Sequence, residues 1–261
     1  MSARVARYGL WQLRDYLFDR GTPTVIIVGL GGYVTLIPMM ISMNHQLALL
    51  PARLVTKYGG PEGARQVLLQ QMNEMFLRSF LGAVVFLGAL FAVNGIVAND
   101  RKQGFYRFLF SKPLSPSRYY GQAFVVHWAG FIALMAAMIG VYGAFVAPLP
   151  MQGLMTAVPV MFLLYAGIGF SLSAAARWDW LSLVTITAVA NFLWAAFGDS
   201  KSVFAKLLYL LPPVHRTNDI YEAVATKGPL NTDLLAWFGV YGLVCYIIGL
   251  VVLRYRRMAI V

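Results

Sequence analysis

Between Arg118 and Arg177 the chain reads YYGQAFVVHWAGFIALMAAMIGVYGAFVAPLPMQGLMTAVPVMFLLYAGIGFSLSAAA, residues 119–176, without one Asp, Glu, Lys or Arg. About 20 apolar residues suffice to cross a bilayer, so this run is long enough for two crossings. Ala147-Pro148-Leu149-Pro150 divides it, because two close prolines remove amide donors and favour a turn. The stretch is read as two membrane-spanning helices joined at the prolines. Working outward, charges bracket further apolar runs: Arg20 to Arg53, Arg78 to Asp100, Asp179 to Asp199 and Asp233 to Arg254. The pattern predicts spans near 23–43, 79–98, 120–146, 153–175, 180–198 and 235–253. That is an all-α integral membrane protein of about six spans, folded as one transmembrane domain over 1–261.

Composition agrees. The 261 residues are 59% hydrophobic and 12% charged, against about a quarter charged in soluble domains, so lipid is the solvent for most of the chain. The net charge of +11 could serve nucleic acid, but the basic residues sit in short clusters between apolar runs, and no nucleic-acid partner is expected. Cys245 is the one cysteine, so no disulfide framework or cysteine metal site can be built. The opening MSARVARYGLWQLRDYLFDR is charged throughout and lacks a small-residue cleavage site, so it does not read as a removable signal peptide. Within it, Leu10, Leu13, Tyr16 and Leu17 fall largely opposite Arg4, Arg7, Arg14 and Asp15 on a helical wheel. Residues 1–20 are therefore expected to carry an interfacial amphipathic helix lying on membrane lipid.

An even number of spans puts both termini on one side. That side holds the N-terminal arginines, the cluster Arg101, Lys102, Arg107, Lys112 and Arg118, then Arg177, and the tail Arg254, Arg256 and Arg257. The opposite loops mix their Lys and Arg with acids, so the positive-inside rule makes the basic side cytoplasmic. On the outer side, Pro61 opens a helix through Leu68, Met72, Met75 and Phe76. Later, 207–211 is too short to cross before Pro212-Pro213, and is expected to be re-entrant or to lie on the surface.

The loop NDRKQGFYRFLFSKPLSPSRYYGQ, 99–122, is too charged to span and too aromatic for a plain linker. Asp100 suits a helix start, Phe105, Phe108 and Leu109 form an apolar face, and Lys112-Pro113 with Ser115-Pro116 ends the element. A short helix parallel to the membrane is expected. The segment resembles the first cytoplasmic loop of permease subunits of type-2 ATP-binding-cassette (ABC) transporters, through Asp100, Gly104, Leu109, Ser111, Pro113, Ser115 and Arg118. The architecture is similar over nearly the whole chain, including Leu-Pro-Pro-Val at 211–214. It departs from the family pattern in Asp100-Arg101, where an acidic-Arg-acidic cluster is common, and in Gln122, where Lys is frequent.

The resemblance implies a coupling helix seated in a separate ABC ATPase subunit, with Asp100, Arg101, Gly104, Phe105, Arg107, Phe108, Ser111, Pro113 and Arg118 at the contact. It also implies a second permease copy or a paralogue, export as the direction, and a bacterial plasma (inner) membrane. ATP and Mg would sit on the partner, because no GxxxxGK[ST] loop occurs in this chain. This chain is expected to bind no cofactor and to catalyse nothing itself. Gly29, Gly31 and Gly32 lie in the first apolar run with no Lys after them, which suits close helix packing.

Asn94, His127, Ser171 and Asn191 are candidates for the lining of a pathway; bonding to neighbouring helices or to their own backbone is the alternative. With no charge at mid-depth, a lipid-like, hydrophobic or bulky amphipathic cargo fits better than a small ion. Met39, Met40, Met43 and His45 form a soft donor set of the kind that takes Cu(I), weighed against ordinary methionine packing. Two rival readings are a membrane anchor or assembly subunit that transports nothing, and an intramembrane serine protease using Ser171 with His127 or His215. Against the protease, Leu172-Ser173 follows Ser171 where a glycine would free the backbone to approach substrate.

Overall fold

The computed structural model describes residues 3–23, 26, 41–42, 45, 48–77, 81–93, 96–102, 104, 115–145, 149–175, 180–198 and 206–255. Among these the chain is helical, with no strand. Helix α1 (Ala3–Asp15) runs on into wider π-helical turns over Tyr16–Gly21. Two further helices follow, α2 (Ala52–Lys57) and α3 (Pro61–Phe76). Next come α4 (Gly82–Val93), α5 (Ile96–Lys102), α6 (Pro116–Phe145), α7 (Met151–Ala175) and α8 (Trp180–Phe197). The chain then passes two 3-10 turns to α9 (Thr217–Ala225) and ends on α10 (Thr232–Tyr255).

Helices α6, α7 and α10 are long and apolar enough to cross a bilayer, and α8 is a shorter apolar helix. The expected spans 120–146, 153–175, 180–198 and 235–253 thus appear as helices with ends within a few residues. For the expected span 79–98, α4 and α5 flank residues 94–95, which lie outside the described residues. The expected span 23–43 lies almost wholly outside them.

Helix α7 is the hub, packing on α10, α4, α6, α5, α8 and α9. Its core face carries Met161, Phe162, Leu164, Ala166 and Phe170, all closed to solvent. Lipid tails are as apolar as leucine, so helices in a bilayer associate through close packing more than through water exclusion. Glycine makes that possible here. A Cβ on Gly242 would lie 2.5 Å from the Leu163 carbonyl oxygen, and one on Gly167 would overlap the Gly242 carbonyl, so α7 and α10 touch backbone to backbone. One face over, the Phe131 ring of α6 fills the space at Gly88 of α4 and stacks on Phe162 of α7 at 4.3 Å between ring centres. Pro159 removes one amide donor inside α7, and at that turn Trp128 Nε1 donates to the Pro159 carbonyl at 3.1 Å.

The segment after α8 differs in detail from the expected re-entrant helix. Residues Leu208–Leu210 and Val214–Arg216 form separate 3-10 turns on either side of Pro212-Pro213, because the proline pair lacks the amides a continuous helix needs. Amphipathic α9 then lays Ile220, Tyr221 and Val224 against α7, α4 and α3. Gln12 of α1 and Tyr16 of the turns that follow are buried and meet α6. Leu10, Trp11, Leu17 and Phe18 form an exposed apolar stripe, so the grouping of Tyr16 with Leu10 and Leu17 divides into two faces.

Candidate functional site

The loop 99–119 leaves and re-enters the bundle through α5 and α6, and the structure shows how its two stems are braced. Val97 and Ala98 of α5 are buried, and the Ala98 amide donates to Ser173 Oγ of α7 at 3.3 Å. Across the base of the loop, the buried Tyr120 hydroxyl donates to Asp100 Oδ2 at 2.9 Å. Pro116 takes the first position of α6, where its missing amide costs nothing. On the same end of the bundle, Gln12 Nε2 of α1 donates to the Tyr119 carbonyl at 3.4 Å, tying the N-terminal helix to the re-entry stem.

Asp100 corrects one expectation. It stands in the closing turns of α5, which continues from Ile96 to Lys102, where the helix dipole does not favour a carboxylate; the Tyr120 hydroxyl bond supports it instead. Gly104 follows in the left-handed region at φ 73°, a conformation glycine adopts without a Cβ penalty and a common way to end a helix. Asp100 therefore lies inside α5, and the rest of the expected loop helix falls on residues 103 and 105–114, outside the described residues. Arg118 is exposed on the first turn of α6. The side chains of Arg101, Phe105, Arg107, Phe108, Ser111 and Pro113 lie outside the described residues.

The pathway candidates have separate neighbourhoods. His127 is buried on α6 with its ring centre 5.1 Å from Tyr16, so it faces the N-terminal helix. Ser171 Oγ donates to the Ile168 carbonyl of its own helix at 2.8 Å, and Asn191 lies on the exposed face of α8. Asn94 is outside the described residues, as are Met39, Met40 and Met43; His45 is exposed. Thr187 also bonds its own helix, at Leu183 and Val184. Self-bonding thus accounts for Ser171 and Thr187.

At the opposite end of the bundle, His215 stacks on Trp194 with ring centres 3.9 Å apart and planes 18° from parallel. Burial, followed by the charge of Arg216, holds its imidazole below the usual histidine range, with Asp219 pulling the other way. Tyr209 meets the edge of Trp194, and the Tyr241 hydroxyl donates to the Leu210 carbonyl, fastening the 3-10 turns to α8 and α10. Sequence reading missed the Tyr120 to Asp100 bond, although a tyrosine pair at the start of a span was a visible signal. It also missed the two ring pairs formed by His127 and His215, which no spacing rule reveals.

Fold and site define an all-α membrane protein whose best-braced polar feature is the root of one loop. No protein-family model, curated protein or solved structure matches the chain.

Proposed function

We propose that this chain is the transmembrane subunit of an ATP-driven ABC transporter of the type-2 kind, an exporter, coupled to a separate ATPase through the loop 99–119. In this reading about six spans cross a bacterial plasma membrane, both termini are cytoplasmic, and a second copy or a paralogue supplies the other wall of the pathway. ATP and Mg are held by the ATPase.

The observation that carries the reading is the Tyr120 to Asp100 bond across the root of the loop. A coupling element must pass a push into the spans without folding up, and here both stems are joined to each other while one is also bonded to the hub helix through Ser173. A push on the loop then loads α6 and α7 together. The loop sequence adds Phe105, Tyr106 and Phe108 for anchoring and Arg101 and Arg107 for a basic rim.

The test is co-purification of an ATPase with the tagged chain from its native membrane. Reversal of Arg101 and Arg107 to Glu is expected to release the ATPase; a partner retained at full yield sinks the coupling role. An ATPase that stays bound while its hydrolysis ignores every candidate cargo fits the anchor reading instead.

A further inference from the structure

We propose that the groove between the first turns of α6 and the last turns of α10 is a binding site for an anionic phospholipid. It would take the phosphodiester head at the helix ends and one acyl chain along the helices.

The groove has a volume of about 700 Å³, within the usual range for small-molecule sites. Its floor exists because residue 121 is glycine: Leu250 Cδ2 and the Tyr246 hydroxyl each come within 3.1 Å of where a Cβ would stand. That hydroxyl donates to the Gly121 carbonyl at 3.2 Å, fixing the two helices at this separation. The rim carries two cations from different helices, Arg118 and Arg254, with Ser115 and Ser117 beside them, and among the described residues no carboxylate lines the space. Both arginines are exposed, and neither makes an ion pair with a described carboxylate. Below the rim the walls are Val125, Ile247 and Val251, each about half exposed and facing outward from the bundle.

An occupant must therefore be anionic at one end and apolar for the rest of its length. Arg118 lies at the start of one long apolar helix and Arg254 at the end of another, so the rim sits where those helices leave the bilayer, at headgroup depth. Free phosphate satisfies the rim alone, and a zwitterionic lipid satisfies the walls alone; an anionic lipid satisfies both. The cavity near Trp194 is less suited, because its Arg216 is already paired with Asp219 at 3.1 Å. The site shares Arg118 with the proposed ATPase contact, but Arg254 lies outside the loop, so variants of Arg254 separate the two readings.

The experiment is native mass spectrometry of the full chain released from neutral detergent, titrated with phosphatidylglycerol or phosphatidylcholine of matched chains. Phosphatidylglycerol is expected to bind roughly 30-fold more tightly, about what two rim cations supply. Arg254→Gln alone should weaken it about fivefold and the Arg118→Gln, Arg254→Gln pair roughly 30-fold, with phosphatidylcholine binding unchanged. The Arg53→Gln, Lys57→Gln pair removes the same charge elsewhere and should bind like wild type. Equal loss in that control, or no loss in the rim variants, overturns the site. Displacement by inorganic phosphate at concentrations that leave a lipid bound to wild-type walls intact also overturns it, because the acyl chain would then contribute nothing. ATPase co-purification of Arg254→Gln should stay at wild-type yield, so failure of the lipid site and failure of the coupling role are read separately.

Discussion

The seam between α7 and α10 and the loop-bearing end of the bundle are held by different forces. Along the seam, Gly167, Gly242 and Gly249 let backbones and the Phe170 ring into contact, and Phe238 is closed to solvent. At the loop end, polar groups cross between elements: Tyr120 to Asp100, Ala98 to Ser173, Gln12 to the Tyr119 carbonyl, and Tyr246 to the Gly121 carbonyl. Mid-bundle, a bilayer offers no water to exclude, so shape does the holding; near the ends, water competes for polar groups and paired ones lock orientation. The same division runs around α10, whose Val240, Val244, Ile247, Ile248 and Val251 are about half exposed while Gly242 and Gly249 are buried.

The largest expected effect breaks the seam by adding volume. Gly242→Val puts a branched side chain on the Leu163 carbonyl, and neither backbone can yield without separating the helices, so a cost of about 3 kcal/mol is expected. Unfolding of the detergent-solubilised protein measures it, and Val240→Ala on the exposed side is the contrasting variant, expected near zero. A melt unchanged in Gly242→Val would mean the seam is not the main contact. Next is removal of volume. Because the unfolded helix rests in lipid, Phe238→Ala loses little transfer energy but leaves roughly 100 Å³ empty, which at about 24 cal/mol per Å³ gives about 2.4 kcal/mol. Trp237→Ala, at a neighbouring half-exposed position, is expected to cost well under half of that.

At the loop end the sensitivity is to polarity. Tyr120→Phe keeps the ring and removes only the hydroxyl donated to the Asp100 carboxylate, so about 2 kcal/mol of stability is expected to go. The sharper readout is coupling: ATP hydrolysis that responds to cargo in wild type should respond less in Tyr120→Phe, with the ATPase still bound. Loss of the ATPase itself would place Tyr120 in the docking surface instead.

Helices were legible because charges bracket apolar runs, and the proline pair at 148 and 150 correctly separated α6 from α7. Which helices touch was not legible. Glycines recur through most of the apolar runs, and only the docked pair shows that Gly167 meets Gly242 while Gly140 and Gly143 meet nothing within 4 Å. Asp100 reads in the sequence as the start of a new helix because a carboxylate suits that end, whereas it lies inside α5, which runs from Ile96 to Lys102. The groove holding Arg118 and Arg254 was invisible for a related reason: residues far apart in sequence share it only once α6 packs on α10. Of the candidate site, the importance of the loop's flanks was readable from its charges and prolines, while the bond that joins them required the fold.

The smallest effect concerns the opposite end, where His215 lies on Trp194. Its folded-state pKa is lowered from the ordinary 6.5, by burial and then by Arg216, against the opposing pull of Asp219. The folded protein thus prefers the neutral ring, and the unfolded chain takes up a proton first as the medium is acidified. The stability tied to the neutral ring is complete above the unfolded value, is lost as pH falls through 6.5, and stops changing below the folded value. Attraction between the protonated ring and Trp194 offsets part of the loss, and solvent around the partly buried imidazole screens the rest, so only a shallow decline is expected. His215→Phe keeps a ring for the stack and should flatten the melting profile between about pH 7.5 and about pH 5 relative to wild type. Phe238→Ala, whose neighbourhood on the seam has nothing that titrates in this window, should lower the whole profile without changing its slope. A slope that survives in His215→Phe would move the pH response to another group and leave the stack as packing alone.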